Sequence, residues 1–122
     1  MQREPWFHYW GSRNAVGRRA VFDVLTAAGI KLRPFDAHAV AGAGILCFSE
    51  TNDQLYQFLR EVSRNGDERV LAIPMDDALA DGRQAWELLR AGASDVFVWS
   101  AGAGIPEQIK ARFERWRDVV LG

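Results

Sequence analysis

Cysteine is all but missing from this chain. Cys47 stands alone, so no intrachain disulfide can form, and the composition suits a reducing compartment. Inside the apolar run Gly44–Phe48 (GILCF) that thiol reads as a small buried hydrophobe rather than a reactive group. An excess of charge of either sign is missing too. The formal net charge is −1, from 15 basic and 16 acidic residues, which leaves no overall electrostatic pull toward nucleic acid or an anionic membrane. No apolar run approaches the roughly 18–20 residues of a membrane span, and no leader-like segment opens the chain. The expectation is a cytoplasmic domain without a membrane partner. His8 and His38 have no Cys/His cluster beside them, and a zinc site needs about four ligands. With no Gly-x-Ser-x-Gly elbow and no Walker A glycine–lysine motif, the expectation is no catalytic residue, no metal, no cofactor and no enzyme.

What the chain does have is enough length, 122 residues, to bury one core, and five tryptophans to help fill it. Trp6–Trp10 (WFHYW), bounded by Pro5 and Gly11, reads as a first strand. Apolar residues at Val16, Ala20, Val21, Val24, Leu25 and Ala28 then keep helical spacing, with Ser12 or Asn14 as N-cap and Gly29 as the stop. Ile30–Phe35 reads as a second strand, placed at an edge because Pro34 cannot donate to a ladder. Gly44–Phe48 is apolar throughout, as in a sheet covered on both faces. Thr51 and Gln54 form a capping box before a helix carrying Leu55, Phe58, Leu59 and Val62, which stops near Asn65–Gly66. Arg69–Pro74 reads as strand four. Ala85, Leu88 and Leu89 mark a helix ending at Gly92, and Asp95–Trp99 reads as strand five. Pro106 opens a last helix carrying Ile109, Phe113, Trp116 and Val120. Strands alternating with helices imply parallel pairing and right-handed crossovers. The fold expected is α/β, a flavodoxin-like (βα)5 three-layer sandwich with sheet order 2-1-3-4-5. The pentapeptide AGAGI, at 41–45 and again at 101–105, has unlike surroundings and reads as two plain loops.

The stretch Ala91-Gly92-Ala93-Ser94-Asp95-Val96-Phe97-Val98 resembles the helix-four-to-strand-five turn of bacterial response-regulator receiver domains. The succession of elements resembles that family along nearly the whole chain. The resemblance implies a phosphorylation site at the strand ends. It would comprise an acidic pair for magnesium after strand one, an aspartate acceptor after strand three, a hydroxyl after strand four and a lysine after strand five. Each of these positions departs here. Gly11 and Ser12 stand for the acidic pair, Phe48 and Ser49 for the acceptor, Pro74 and Met75 for the hydroxyl, and Trp99 for the lysine. The reading is a pseudo-receiver, with the fold kept and the phosphorylation chemistry gone. Glu50, beside the vacated acceptor, lacks the lysine that a permanent phosphate mimic would pair with, and a solvated residue is the preferred reading. Asp76–Asp77 reads as a helix cap rather than a metal site.

The aromatic first strand, the degenerate site and the ending RFERWRDVVLG look like the receiver-like N-terminal domains of NtrC-type, sigma-54-dependent transcriptional activators. That resemblance implies that residues 1–122 are one receiver-like domain excised from a longer regulator, with attached AAA+ and DNA-binding modules. It implies a homodimer that itself binds no nucleic acid. Output would pass through the last helix, the fifth in the (βα)5 count, where Arg112, Arg115, Trp116, Val119 and Val120 are the candidate interface. Trp116 beside arginines has the composition of a contact anchor, although it also suits the cover of the domain's own core. The alternative function is a small-ligand sensor. Its apolar crevice would be lined by Trp10, Phe48, Met75 and Trp99 at the carboxyl ends of the strands.

Overall fold

The computed structural model describes residues 5–10, 15–36, 42–64, 68–76, 79, 81–99 and 104–121, with 15–16 and 117–121 as backbone only. Five strands, β1 (Trp6–Trp10), β2 (Arg33–Pro34), β3 (Gly44–Phe48), β4 (Val70–Pro74) and β5 (Asp95–Val96), form one sheet. Among the described residues, the helices are α1 (Ala15–Ala27), α2 (Asp53–Ser63), α3 (Gly82–Ala91) and α4 (Ile105–Leu121). Every pairing is parallel and the strand order is 2-1-3-4-5, so the sheet has the flavodoxin-like arrangement.

The central strands are apolar on both faces because helices cover both. Alternate residues divide cleanly. Phe7, Tyr9, Ile45, Cys47, Leu71 and Ile73 pack with Val21 and Leu25 of α1 and with Ile109 and Trp116 of α4. Trp6, Leu46, Phe48, Val70 and Ala72 pack with Leu55, Leu59 and Val62 of α2 and with Leu88 and Ala91 of α3. This is the expected three-layer sandwich with β3 and β4 at its centre.

Two glycines decide local geometry. Gly44 is the cross-strand partner of Trp6, and a Cβ on it would lie 1.8 Å from the indole Cε2. The bare backbone is what lets the fully buried Trp6 ring lie across β3. Gly92 closes α3 at φ +124°, its N–H reaching the carbonyls of Leu88 and Leu89, and a Cβ there would meet Ser63 Oγ at 2.1 Å.

Several element boundaries differ from the sequence expectation. The N-cap of α2 is Asn52, whose Oδ1 accepts the Leu55 N–H at 2.8 Å, rather than the Thr51–Gln54 box. The helix closes one residue before the expected Asn65–Gly66, on Arg64 in a left-handed conformation at φ 51°. Asp81, and not the Asp76–Asp77 pair, caps α3 by accepting the Gln84 N–H at 2.9 Å; Asp77 lies outside the described residues. Arg69 lies outside β4, which begins at Val70. The two edge strands are shorter than expected. β2 keeps only Arg33–Pro34; the Arg33 and Phe35 N–H groups bond Pro5 O and Phe7 O, which leaves Pro34, without a donor, on the outer edge of the sheet. β5 keeps only Asp95–Val96, because the Asp95 carboxylate takes the Val96 N–H at 2.8 Å and the Phe97 N–H bonds Ala72 O instead. This one-residue slip has the character of a bulge. Leu89, expected in the buried stripe of α3, is 42 % exposed.

The expected helix between β2 and β3 is not among the described elements. Residues 35–43 alone link those strands, fewer than a helical crossover needs, and 37–41 lie outside the described residues. On the α2 side of β1, buried and half-buried aromatic rings pack together. His8 lies 4.9 Å from Phe35 and 5.2 Å from Phe58, Trp10 lies 5.1 Å from Phe58, and Trp6 meets Phe35 edge-on at 5.4 Å.

Candidate functional site

In a doubly wound sheet, chemistry collects at the carboxyl ends of the strands. That rim is built here from side chains turned into the two cores. Trp10 ends β1 half-buried against the α2-side cluster. Phe48 ends β3 fully buried in the same cluster, and its carbonyl accepts the Met75 N–H at 3.0 Å. Pro74 ends β4 buried, and Met75 turns to the opposite core beside α1 and α4. Trp99, beyond β5, packs half-buried on that core as well. The rim polar residues Ser49 and Glu50 are exposed. Gly11, Ser12 and Ser100 lie outside the described residues. Among the described residues no group of three or more His, Cys, Asp or Glu side chains is placed to hold a metal ion.

The four residues expected to line a ligand crevice are therefore not brought together. Trp10 and Phe48 belong to the cluster beneath α2 and α3, while Met75 and Trp99 belong to the cluster beneath α1 and α4. The sheet itself lies between the two sets.

Burial disfavours the charged forms of Cys47 and His8 in the central strands. Cys47 is fully buried, and desolvation pushes its thiol far above the ordinary range, so it supplies no thiolate. His8 is held below its ordinary value of 6.5, first by burial among the rings of Phe35, Phe58 and Trp10 and then by the positive charge of Arg18. His38 lies outside the described residues.

The last helix presents a different kind of surface. Trp116 is turned inward, 9 % exposed, and meets Phe113 edge-on at 5.1 Å, so it covers the core of its own domain. The side chains of Val119 and Val120 lie outside the described residues. Arg112 and Arg115 face the edge of the sheet. Asp95 Oδ2 accepts from Arg112 Nη2 at 2.8 Å, while Oδ1 of the same carboxylate holds the Val96 N–H. The Arg112 guanidinium also lies over the Phe97 ring, 5.6 Å from its centroid. One carboxylate thus ties the end of β5 to α4. Beside it opens a groove of about 210 Å³ lined by Phe97, Gln108, Ala111, Arg112 and Arg115.

Sequence reasoning placed Asp95 and Phe97 in strand five and missed their contacts with Arg112. Their separation in sequence gives no local pattern to find; only the return of the last helix beside the edge strand joins them. Trp86, 61 % exposed on α3, was also missed, since the helical stripe there was drawn from Ala85, Leu88 and Leu89.

Comparison with known proteins finds no matching protein-family model, no matching curated protein and no matching solved structure. The class established at this point is that of the fold, a five-stranded parallel flavodoxin-like domain. Among the described residues no helix is long and apolar enough to cross a membrane.

Proposed function

We propose that this domain is a non-catalytic pseudo-receiver, a cytoplasmic regulatory module of a bacterial transcriptional regulator. It controls oligomerisation and output through its last helix and accepts no phosphoryl group. The observation that carries this reading is the packing of the rim. Phe48, at the acceptor position of the receiver resemblance, is fully buried, Pro74 beside it is buried, and Trp99 is folded down on the core at the lysine position. Phosphoryl transfer needs positioned carboxylates, a divalent cation and a counter-charge working as a unit. Hydrophobic packing in those positions favours a domain whose state is set by contacts instead. The division of Trp10, Phe48, Met75 and Trp99 between two cores supports filled positions over the alternative of a ligand crevice.

On this reading the module is joined to AAA+ and DNA-binding modules in an NtrC-type, sigma-54-dependent activator. It binds no nucleic acid itself and pairs as a homodimer. Exposed Arg115 and half-buried Arg112 remain as its contact residues on α4, given that Trp116 is turned inward. Sedimentation velocity of the domain with its native linker, over a wide concentration range, tests this directly. A concentration-dependent dimer weakened by Arg115→Glu is expected. A strictly monomeric domain at high concentration contradicts the proposal.

A further inference from the structure

The groove between the sheet edge and α4 has a chemistry that the pseudo-receiver reading does not use. It is lined by Phe97 from beyond β5 and by Gln108, Ala111, Arg112 and Arg115 of α4. On α4 the pairs 108/112 and 111/115 are four residues apart and the pairs 108/111 and 112/115 three, so a single strip of the helix supplies these four lining residues. Arg112 is fixed in place from two sides. Asp95 holds one of its nitrogens, and the plane of its guanidinium rests near Phe97, so its remaining donors are pre-positioned with little rotamer entropy left to lose. Arg115, one turn further on, is exposed and makes no ion pair among the described residues. Two arginines, one of them already paired with Asp95, and a glutamine therefore line a small groove that also holds one aromatic ring. The domain as a whole carries a net charge of only −1, so this concentration of donors is local.

The cavity volume, about 210 Å³, falls below the roughly 300–1,000 Å³ of a site for a whole cofactor or drug-sized ligand. It suits one or two side chains of a peptide. We propose that this groove docks an acidic segment of a partner protein, seating a carboxylate side chain between Arg112 and Arg115 and an apolar neighbour on Phe97. The inference rests on the pseudo-receiver reading and deepens it, since it names the chemistry of the partner that the last helix contacts. Charge-assisted hydrogen bonds from a prefixed arginine supply the specificity, and Phe97 supplies the apolar contact.

The test uses an N-acetylated, C-amidated peptide alternating glutamate with leucine, its glutamine counterpart and inorganic phosphate. Each is titrated into the isotope-labelled chain while the backbone and arginine side-chain resonances are followed. The acidic peptide is expected to shift Arg112, Arg115, Phe97 and Ala111 in a saturable way that weakens with salt, and the glutamine peptide to leave them in place. Arg115→Glu is expected to lower the apparent affinity about tenfold, the loss of one charge-assisted hydrogen bond, without changing the melting temperature. Three outcomes overturn the proposal: no shift with the acidic peptide, equal shifts with the glutamine peptide or with phosphate, and equal affinity in the Arg115→Glu variant. A phosphoryl adduct on this chain would contradict the pseudo-receiver reading by a separate measurement and would leave these titrations unchanged.

Discussion

Single residues carry the tightest constraints in this molecule, and Gly44 is the tightest of them. The Trp6 indole occupies the space that any side chain at Gly44 would need, and both residues are central to the sheet. Gly44→Ala forces the indole off its seat, and overpacking of a close-fitted core costs about 1–3 kcal/mol. A lowered melting temperature together with red-shifted tryptophan emission is the expected result, read by thermal denaturation followed by fluorescence. A second prediction concerns His8. The folded chain holds its pKa below 6.5, so the unfolded chain binds the proton more readily. Stability is therefore level above about pH 6.5, declines as the pH falls from there, and loses this contribution entirely once the pH passes below the folded-state pKa. Urea unfolding between pH 5 and 8 checks the decline, and His8→Phe, which keeps a ring among Phe35 and Phe58, is expected to flatten it.

At the scale of elements, helix ends and strand ends explain where the chain stops each structure. Asn52 and Asp81 each satisfy an amide that the first turn of a helix leaves without a partner. Asn52→Ala and Asp81→Ala are each expected to destabilise the domain by about 1 kcal/mol, and by nearly the sum when combined because the two caps belong to different helices. Chemical denaturation of the single and double variants measures this. These caps also mark how far local sequence reading reaches. The strands WFHYW and GILCF, and the helix end at Gly92, were legible because apolar runs and glycine punctuation are local signals. The choice between Thr51 and Asn52, or between Asp76–Asp77 and Asp81, was not, because neighbouring side chains of similar capping ability differ only in the backbone angle at which the helix starts. The short reach of β5 was hidden for a related reason. DVFVW has the composition of a strand, and it takes the Asp95 side chain bonding its own neighbour to end the pairing after Val96.

Taken as a whole molecule, the domain is a parallel sheet whose two faces are filled by separate cores, and the filling extends to the rim where chemistry would otherwise sit. The order 2-1-3-4-5 followed from the alternation of strands and helices. The contents of the rim were legible as residue types, but their division between opposite faces needed the register of β1, β3 and β4. The tie from Asp95 to Arg112 and the groove beside it arise only when α4 returns along the edge strand, so no local pattern foretold them. The molecule thus pairs a filled rim with an arginine-lined edge, a combination that suits the proposed regulation by contact.

The central claim is that no phosphoryl group is accepted. It is tested most directly by intact-mass measurement of the purified domain after incubation with acetyl phosphate and magnesium. The account predicts an unchanged mass. A covalent phosphoryl adduct, especially one mapped to Ser49 or Glu50 beside the buried Phe48, would contradict it.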